Sequence, residues 1–364
     1  MMQITIQTRG IILLVWFTVM WTGLFFCKST PTETDRNGSD EITGGETAVD
    51  TTTYYVSTNG DNDADGRSLN SPFRTIARAL QAVRSGGAVQ ILPGVYSESL
   101  TLQNVGTDSD TIFIRGHSTG AILDGSNSQT FAFFCERCAG LAFENLEIRN
   151  FTDLGIGASQ CRKMTFRNLR AHENGHQVQL VDWELEGYGI HVEESDSVTI
   201  ENNDVYRNGP EPQIFPDFLM GTGINTYKIR NSVIRNNVSH DNIGGGILVE
   251  DSEYVIVESN EVYANDLDAT VDEWWDGGLW LDGGHDVTVR DNVFRDNLGP
   301  GIEISDEDFQ NPYGYILENN VSTRNYYGIY IWNFGTTDWP DSTIIQQMNN
   351  QFTNNSQQDV WIEQ

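Results

Sequence analysis

The chain has 364 residues, and its 52 acidic and 21 basic side chains give a formal net charge of -31 at pH 7. A protein this negative repels phosphate backbones and anionic headgroups, which excludes nucleic acid as a partner. Its 38% hydrophobic and 11% aromatic residues exclude disorder, and 35 glycines favour an all-β fold with many turns.

Residues 1–27 have the pattern of a targeting segment, in which Arg9 precedes the apolar run IILLVWFTVMWTGLFF and then Cys27. The run is short for a spanning helix, which needs about 20 residues. The stretch LFFC resembles a lipoprotein lipobox, with Phe26 where a small residue is usual, and implies a lipid anchor on Cys27. The alternatives are an uncleaved membrane anchor or secretion. All three possibilities predict an extracytoplasmic protein. A lipid anchor or a membrane anchor would hold it at a bacterial cell envelope.

Residues 28–53 are polar and lack periodicity, so we predict a flexible linker there and a folded domain over 54–364. Early in that domain, Asp61, Asp63 and Asp65 in DNDADG follow a calcium-loop pattern, with Pro72 where a bidentate glutamate would bind. Calcium is therefore the one candidate cofactor.

The segment SPFRTIARAL predicts a helix with Ser71 as its N-cap and Pro72 at its first position. Phe73, Ile76 and Leu80 follow at helical spacing. We expect this helix to cover the open end of a stack of coils, because the first coil of a solenoid otherwise exposes an unpaired edge.

One unit recurs from about Leu154 onward, with a shortest period of about 23 residues. Its strand starts read LGIGAS, YGIHVEE, TGINTYK, GGILVED, GGLWLDG, PGIEISD and YGIYIWN. Alternating residues point to opposite faces, so stacking the units at about 4.8 Å builds a continuous apolar interior. We also interpret one asparagine per unit as a turn ladder: Asn145, Asn168, Asn203, Asn237, Asn260, Asn292, Asn320 and Asn350.

The segment YYVSTNGDNDADGRSLNSPFRTIARAL, followed by VQILPGVY and the Gly-Ile repeats, resembles secreted β-helix proteins of the pectate-lyase-like superfamily. The resemblance covers about residues 54–360. It implies export and often polysaccharide chemistry. The predicted fold class is all-β, a right-handed parallel β-helix of about ten coils with an N-terminal capping helix.

Three long insertions directly precede Gly-Ile strands, which predicts an exposed groove over one sheet. Two outward columns should form its floor. The first is Gly157, His191, Asn225, Leu248, Trp280, Glu303 and Tyr330, and the second is Ser159, Glu193, Tyr227, Glu250, Asp282, Ser305 and Trp332. Acids beside aromatic rings suit sugars, although the rings could also form a purely structural ladder.

We predict catalytic roles for Glu250, Asp282, Glu303 and His191, and sugar binding by Trp280, Tyr330, Trp332, Trp275, Trp274, Tyr227 and Glu193. Strand spacing puts Glu250 about 5 Å from Asp282, and Asp282 about 8 Å from Glu303, which suits retaining or inverting glycoside hydrolysis. Stacked acids could equally bind calcium. No arginine stands in the columns, which disfavours a lyase, and no catalytic signature of polygalacturonases or alginate epimerases is matched.

Cys138 and Cys161 occupy equivalent repeat positions, so we predict a disulfide between adjacent coils, with Cys135 left unpaired. Together these features predict a surface-anchored or exported monomer that acts on a polysaccharide or other glycan, with hydrolysis favoured. Its membrane contact would be through the N-terminal segment alone. The alternatives are a noncatalytic glycan-binding or structural surface protein and a calcium-dependent lyase or epimerase.

Overall fold

The computed structural model describes residues 40–43, 51–176, 185–210, 219–267, 276–306, 312–332 and 345–362. The predicted targeting segment 1–27, with Cys27, lies outside these residues. Within the described ranges, no helix has the length and apolar character needed to cross a bilayer.

The chain winds through three parallel sheets, and each strand pairs with its equivalent in the neighbouring coil. Sheet A contains β1 (Asp40–Thr43), β5 (Leu100–Gln103), β8 (Phe133–Glu136), β11 (Leu154–Ser159), β15 (Tyr188–Glu193), β19 (Ile224–Tyr227), β22 (Ile247–Glu250), β25 (Leu279–Asp282), β28 (Ile302–Ser305), β31 (Tyr327–Ile331) and β34 (Gln358–Ile362). Sheet B contains β2 (Thr53–Val56), β3 (Ala88–Ile91), β6 (Ile112–Gly116), β9 (Leu141–Glu144), β12 (Thr165–Arg167), β16 (Thr199–Glu201), β20 (Arg230–Arg235), β23 (Glu253–Glu258), β26 (Thr288–Arg290), β29 (Tyr315–Glu318) and β32 (Ile345–Met348). Sheet C contains β4 (Gly94–Tyr96), β7 (Ala121–Asp124), β10 (Glu147–Arg149), β13 (Arg170–His172), β17 (Asp204–Tyr206), β21 (Val238–His240), β24 (Glu261–Tyr263), β27 (Val293–Arg295), β30 (Val321–Thr323) and β33 (Gln351–Thr353). Two short strands, β14 (Leu185–Glu186) and β18 (Leu219–Met220), pair separately.

The interior is built from aliphatic side chains that stack on their equivalents in the next coil. Along sheet A this column is Ile190, Ile224, Ile247, Leu279, Ile302 and Ile329, all fully buried. Burying each such side chain contributes roughly 1.5–3 kcal/mol. The predicted parallel β-helix is therefore confirmed, since the apolar half of every repeat faces one shared core.

Strand β1 lies inside the segment 28–53, which the sequence predicted as a linker. Its residues Asp40–Thr43 pair in parallel with Leu100–Gln103 of β5. This short stretch therefore adds a strand to the edge of sheet A, because β5 offers backbone groups that would otherwise lack a partner on that side.

Helix α1 spans Ile76–Ala82 and packs against β1, β2 and β3. The predicted start at Ser71 is wrong. Thr75 is the N-cap, and its hydroxyl accepts a hydrogen bond from the Arg78 backbone N–H at 3.2 Å. The Glu98 carboxylate accepts the first two helical N–H groups at 2.8 and 2.9 Å, which is a tertiary contact that the local sequence does not reveal.

Six asparagines of the predicted ladder form a buried hydrogen-bonded row. They are Asn203, Asn237, Asn260, Asn292, Asn320 and Asn350, and each Nδ2 donates to the Oδ1 of the next at 2.9–3.0 Å. Asn145 and Asn168 were assigned to this row wrongly. They occupy the preceding left-handed turn position, with φ of 57° and 53°, and leucines take the ladder position in their coils.

A second asparagine ladder, not predicted from the sequence, follows the strands of sheet C. It consists of Asn174, Asn208, Asn242, Asn265, Asn297, Asn325 and Asn355, joined by Nδ2 to Oδ1 hydrogen bonds of 2.8–3.4 Å. Both ladders satisfy buried turn amides, which would otherwise be costly to bury.

The outer faces of sheets B and C also carry ladders. On sheet B, arginine and glutamate alternate coil by coil: Arg115, Glu144, Arg167, Glu201, Arg235, Glu258, Arg290 and Glu318. On sheet C, His172, Tyr206, His240 and Tyr263 stack at 4.6–5.0 Å between ring centroids, and Arg295 lies 3.9 Å above the last ring. The stacked rings cover one another's faces, so they stiffen sheet C rather than offer a platform for a ligand.

The predicted disulfide is not formed, since Cys138 and Cys161 are buried free thiols. They do lie in adjacent coils, where the Cys138 backbone N–H donates to Cys161 Sγ at 3.2 Å. Each thiol donates to a backbone carbonyl, Cys138 to Leu102 at 3.3 Å and Cys161 to Ser159 at 3.2 Å, which satisfies it without a covalent bond. Cys135 is also free, and burial raises the pKa of its thiol.

We predict that Asn237→Ala lowers the free energy of unfolding by about 2 kcal/mol, because it removes the acceptor of two hydrogen bonds from Asn203. Urea unfolding of the full-length chain measures this loss. Asn236→Gly is the matched control: Asn236 is exposed with φ of 54°, so glycine should leave the midpoint nearly unchanged. Equal effects of the two substitutions would contradict a ladder role.

Candidate functional site

The outer face of sheet A carries the two predicted columns in the predicted register. Strand pairing stacks His191, Asn225, Leu248, Trp280, Glu303 and Tyr330 in the first column. It stacks Ser159, Glu193, Tyr227, Glu250, Asp282 and Ser305 in the second. We call these two columns, with Trp332, the floor.

The floor is mostly buried, whereas the sequence predicted an exposed groove. His191 is 1% exposed, Trp280 5% and Glu303 0%, while Glu250 and Trp332 are half-buried. Glu303 has a large ring in register on each side, Trp280 in one neighbouring coil and Tyr330 in the other. Trp274 and Trp275, which were predicted to bind sugar, lie outside the described residues.

Asp282 is held by a relay of two short hydrogen bonds. The Trp280 indole Nε1–H donates to Ser305 Oγ at 2.6 Å, and the Ser305 hydroxyl donates to Asp282 Oδ1 at 2.6 Å. Because the serine proton is directed at the carboxylate, the relay stabilises a negative charge on Asp282 and fixes its orientation. The repeat pattern predicts the place of Ser305 in the second column but not its role.

Glu303 lies one coil beyond Trp280 and is completely buried. The indole Nε1–H of Trp332 donates to its Oε1. The Trp332 ring meets Tyr330 edge to face, with centroids 5.6 Å apart, so two aromatic rings stand beside this carboxylate. The structure thus brings the predicted Asp282, Glu303, Trp280, Tyr330 and Trp332 together.

His191 and Glu193 form a separate polar group toward the N-terminal end of the floor. His191 Nε2 lies 3.7 Å from Glu193 Oε2, its Nδ1 lies 3.1 Å from Asn225 Nδ2, and its ring stacks on Tyr188 at 5.0 Å. Burial alone would raise the pKa of Glu193, but His191 and the Ser159 hydroxyl more than offset it, so this pKa lies below its ordinary value.

Lys228 and Asp251, one position beyond the second column, add charge beside the floor. Both occupy left-handed turn positions, with φ of 52° and 46°. Lys228 Nζ lies 3.7 Å from Asp251 Oδ2 and 4.3 Å from the centroid of Tyr227. Burial raises the pKa of Tyr227, with Lys228 opposing the shift. Asp251 is not among the residues predicted from the sequence, although its place directly after Glu250 is a usable signal.

The carboxylates of the predicted calcium loop are used in local turns. Asp61 Oδ1 accepts the Asp63 backbone N–H at 3.0 Å, and Asp65 Oδ1 accepts the Ser71 hydroxyl at 2.7 Å. The hydrogen bond from Ser71 lowers the pKa of Asp65. Across the described part of the chain, no group of three or more His, Cys, Asp or Glu side chains could hold a metal ion.

We predict that the stability difference between the wild type and Glu193→Gln depends on acid pH. The folded-state pKa of Glu193 is depressed, so its stabilisation is present above the ordinary value of about 4.3 and is lost as pH falls through the folded value. Thermal melts from pH 7 to pH 3 should show the two midpoints converging in acid. The control is Glu194→Gln, at an exposed neighbour. A gap that stays constant with pH would refute the ionic role of Glu193.

A family model described as right handed beta helix region matches residues 100–269 and 183–356. Another, described as protein of unknown function (DUF1565), matches residues 58–103. The uncharacterized protein YwoF of Bacillus subtilis (strain 168) is 24% identical over 346 residues, which cover 87% of this chain and 70% of that protein.

Solved structures with the same fold include pectate lyase Pel9A, at 20% identity and a TM-score of 0.61, covering 86% of this chain and 79% of that one. The GH136 lacto-N-biosidase from Eubacterium ramulus has 15% identity and a TM-score of 0.57 over 84% of this chain and 66% of that one. The alginate lyase from Paenibacillus sp. str. FPU-7 has 15% identity and a TM-score of 0.58 over 79% of this chain and 95% of that one. The two matches to the first family model overlap and run together from residue 100 to 356, so the chain belongs to the right-handed β-helix family.

Proposed function

We propose that this protein is a surface-anchored or exported carbohydrate-active enzyme that hydrolyses a glycan at the floor of sheet A. One observation carries the proposal. Asp282 and Glu303 are buried carboxylates on the outward face of adjacent coils, and each receives hydrogen bonds that begin at a tryptophan indole. Burying a carboxylate is costly, and buried acids held by specific hydrogen bonds in one place are typical of sites that transfer protons.

The structural neighbours support the choice of substrate class. Those described above are named as a pectate lyase, a lacto-N-biosidase and an alginate lyase, all of which act on carbohydrates. They differ in reaction, so the fold alone does not select hydrolysis. The reaction is inferred from the side chains of the floor.

The proposed roles follow from the surroundings of the two acids. Asp282, whose charge the serine relay stabilises, takes a proton from the attacking water. Glu303, which is enclosed beside the Trp332 and Tyr330 rings, gives its proton to the glycosidic oxygen as the bond to the anomeric carbon breaks. Their diagonal placement on adjacent strands corresponds to a separation of about 8 Å between the two carboxyl groups. That separation leaves room for the attacking water and predicts inversion at the anomeric carbon.

Glu250 offers a second pairing with Asp282, its direct neighbour in the next coil. That spacing of about 5 Å would suit a retaining reaction, with Asp282 as nucleophile and Glu250 as the acid. Glu250 is half-buried and lacks the enclosure of Glu303. We therefore assign the acid role to Glu303 and expect a smaller effect from Glu250→Gln.

Elimination from a uronic acid is less well supported. That reaction needs cationic help for the substrate carboxylate, and among the described residues of the floor and its border the basic side chains are Lys228 and His191. Lys228 lies against Asp251 and His191 against Glu193. A calcium-dependent lyase and a noncatalytic glycan-binding protein remain the two outcomes that the experiment must separate.

We predict that Asp282→Asn and Glu303→Gln each lower kcat by about 10²–10⁴-fold toward any glycan that the wild type cleaves, because each removes one proton-transfer group. The assay incubates the full-length protein with a glycan panel, with and without calcium. It reads new reducing ends and the absorbance of unsaturated uronates. Glu258→Gln is the matched control, since it removes one carboxylate from the opposite outer face.

Each result has a distinct meaning. Reducing ends without unsaturated product, lost in both floor variants and kept in Glu258→Gln, support hydrolysis by the pair. Unsaturated product would show elimination, and the protein would then be a lyase and not a hydrolase. If the wild type binds glycan without cleaving it, and Asp282→Asn binds it equally well, the protein is a noncatalytic glycan-binding protein.

A further inference from the structure

The side-chain oxygen of Asn225, in the first column of the floor, is buried and not satisfied by the described residues. Asn225 is 1% exposed, and its Nδ2 lies 3.1 Å from His191 Nδ1. Its Oδ1 makes no hydrogen bond to any residue that the structure describes. A buried acceptor without a donor costs free energy, and the many fully bonded buried asparagines of this protein show that its fold readily avoids that cost.

The charge around the floor is strongly negative. Seven described carboxylates lie in it or directly follow its strands: Glu193, Glu194, Glu250, Asp251, Asp282, Glu303 and Asp306. The basic groups described there, Lys228 and His191, each face one of these acids. Burial first, and then the nearby Asp282 and Asp306, raise the pKa of Tyr315 well above its ordinary value, which agrees with this negative field.

We propose that the glycan bound at this floor is uncharged, whether a neutral sugar or an N-acetylated one, and that Asn225 selects it by accepting a hydrogen bond. The proposal deepens the glycan-acting function proposed above and rests on it. It names the substrate class and adds a specificity-determining residue.

Two independent physical arguments agree on this class. A uronate carboxylate would stand among like charges, and the repulsion is strong where water is excluded. An ionised carboxylate also accepts hydrogen bonds but donates none, so it cannot satisfy Asn225 Oδ1. A sugar hydroxyl or an acetamido N–H can donate to that oxygen and adds no charge.

The floor is long enough for such a glycan to reach both groups. Asn225 precedes Glu303 by three coils in the first column, which corresponds to about 14 Å at the usual strand spacing. That distance fits a chain of about three sugar units lying along the helix axis, with Asn225 and the reacting bond at its two ends. Asn225 therefore acts in recognition and not in proton transfer.

The first experiment compares matched polymers that differ only in charge. Polygalacturonate and alginate are each bound to the full-length protein before and after chemical reduction of their carboxylates, alongside chito- and cello-oligosaccharides. Calorimetry is run in chelator and again with calcium. We expect uncharged ligands to bind at least tenfold more tightly than any uronate, with the difference shrinking as salt is raised.

The second experiment uses Asn225→Leu. Asn225→Leu removes the buried acceptor and also the Nδ2 contact with His191, so the unfolding midpoint should fall, but by less than in the control below, while uncharged ligands should bind at least tenfold more weakly. The matched control is Asn237→Leu, at a fully bonded ladder position on the far side of the coil, which should lose stability and keep affinity in the folded protein. This opposite pattern separates a recognition role from a structural one.

The outcomes test the uncharged-substrate proposal and the glycan-acting function separately. Equal or tighter binding of the uronate form would overturn the uncharged-substrate proposal and leave the glycan-acting function standing. Unchanged affinity in Asn225→Leu would remove Asn225 as the selecting residue. If no polymer of either class binds the wild type, the proposed function itself fails. The comparison of polymers uses the wild type, so it stands even if the variant fails to fold.

Discussion

Parallel pairing between equivalent strands of successive coils is the constraint on which the rest of this structure depends. It places each residue directly against its counterpart about 4.8 Å away, so every side chain must be compatible with a copy of its own position. Isoleucine stacks on isoleucine in the core, asparagine on asparagine in two turns, and arginine alternates with glutamate outside. Stability is thereby distributed along the coil as a sum of similar neighbour contacts.

The same constraint creates the chemistry of sheet A. Residues that are distant in sequence, such as Glu250 and Asp282, become direct neighbours because the register between β22 and β25 is set by the core. On this face carboxylates, an amide, an imidazole and indoles follow one another from coil to coil, without the regular alternation seen on sheets B and C. A structural ladder has no need of such variety, and the relay through Ser305 shows that these side chains are bonded across coils in a specific order.

The distribution of charge supports this division between faces. Arginines are concentrated on the outer faces of sheets B and C, where they pair with acids at 2.5–3.9 Å. These exposed pairs each contribute little to stability, but they neutralise those two faces. At the floor, by contrast, the described carboxylates outnumber the described basic groups, which are Lys228 and His191. The unsatisfied amide oxygen of Asn225 is buried in the same floor.

The sequence by itself determined the repeat, the all-β class and the membership of both floor columns, since a period of two along each strand decides which side chains share a face. It did not separate Asn168 from the ladder position, because the next coil has asparagine at both positions, Asn202 and Asn203, and these look alike without the hydrogen bonds that distinguish them. Only the tertiary structure decided that the floor is buried, that Cys138 and Cys161 remain thiols, and that Asp282 is oriented by Ser305. Those outcomes depend on side-chain directions between coils, and residues 23 or more positions apart leave no local pattern to record them.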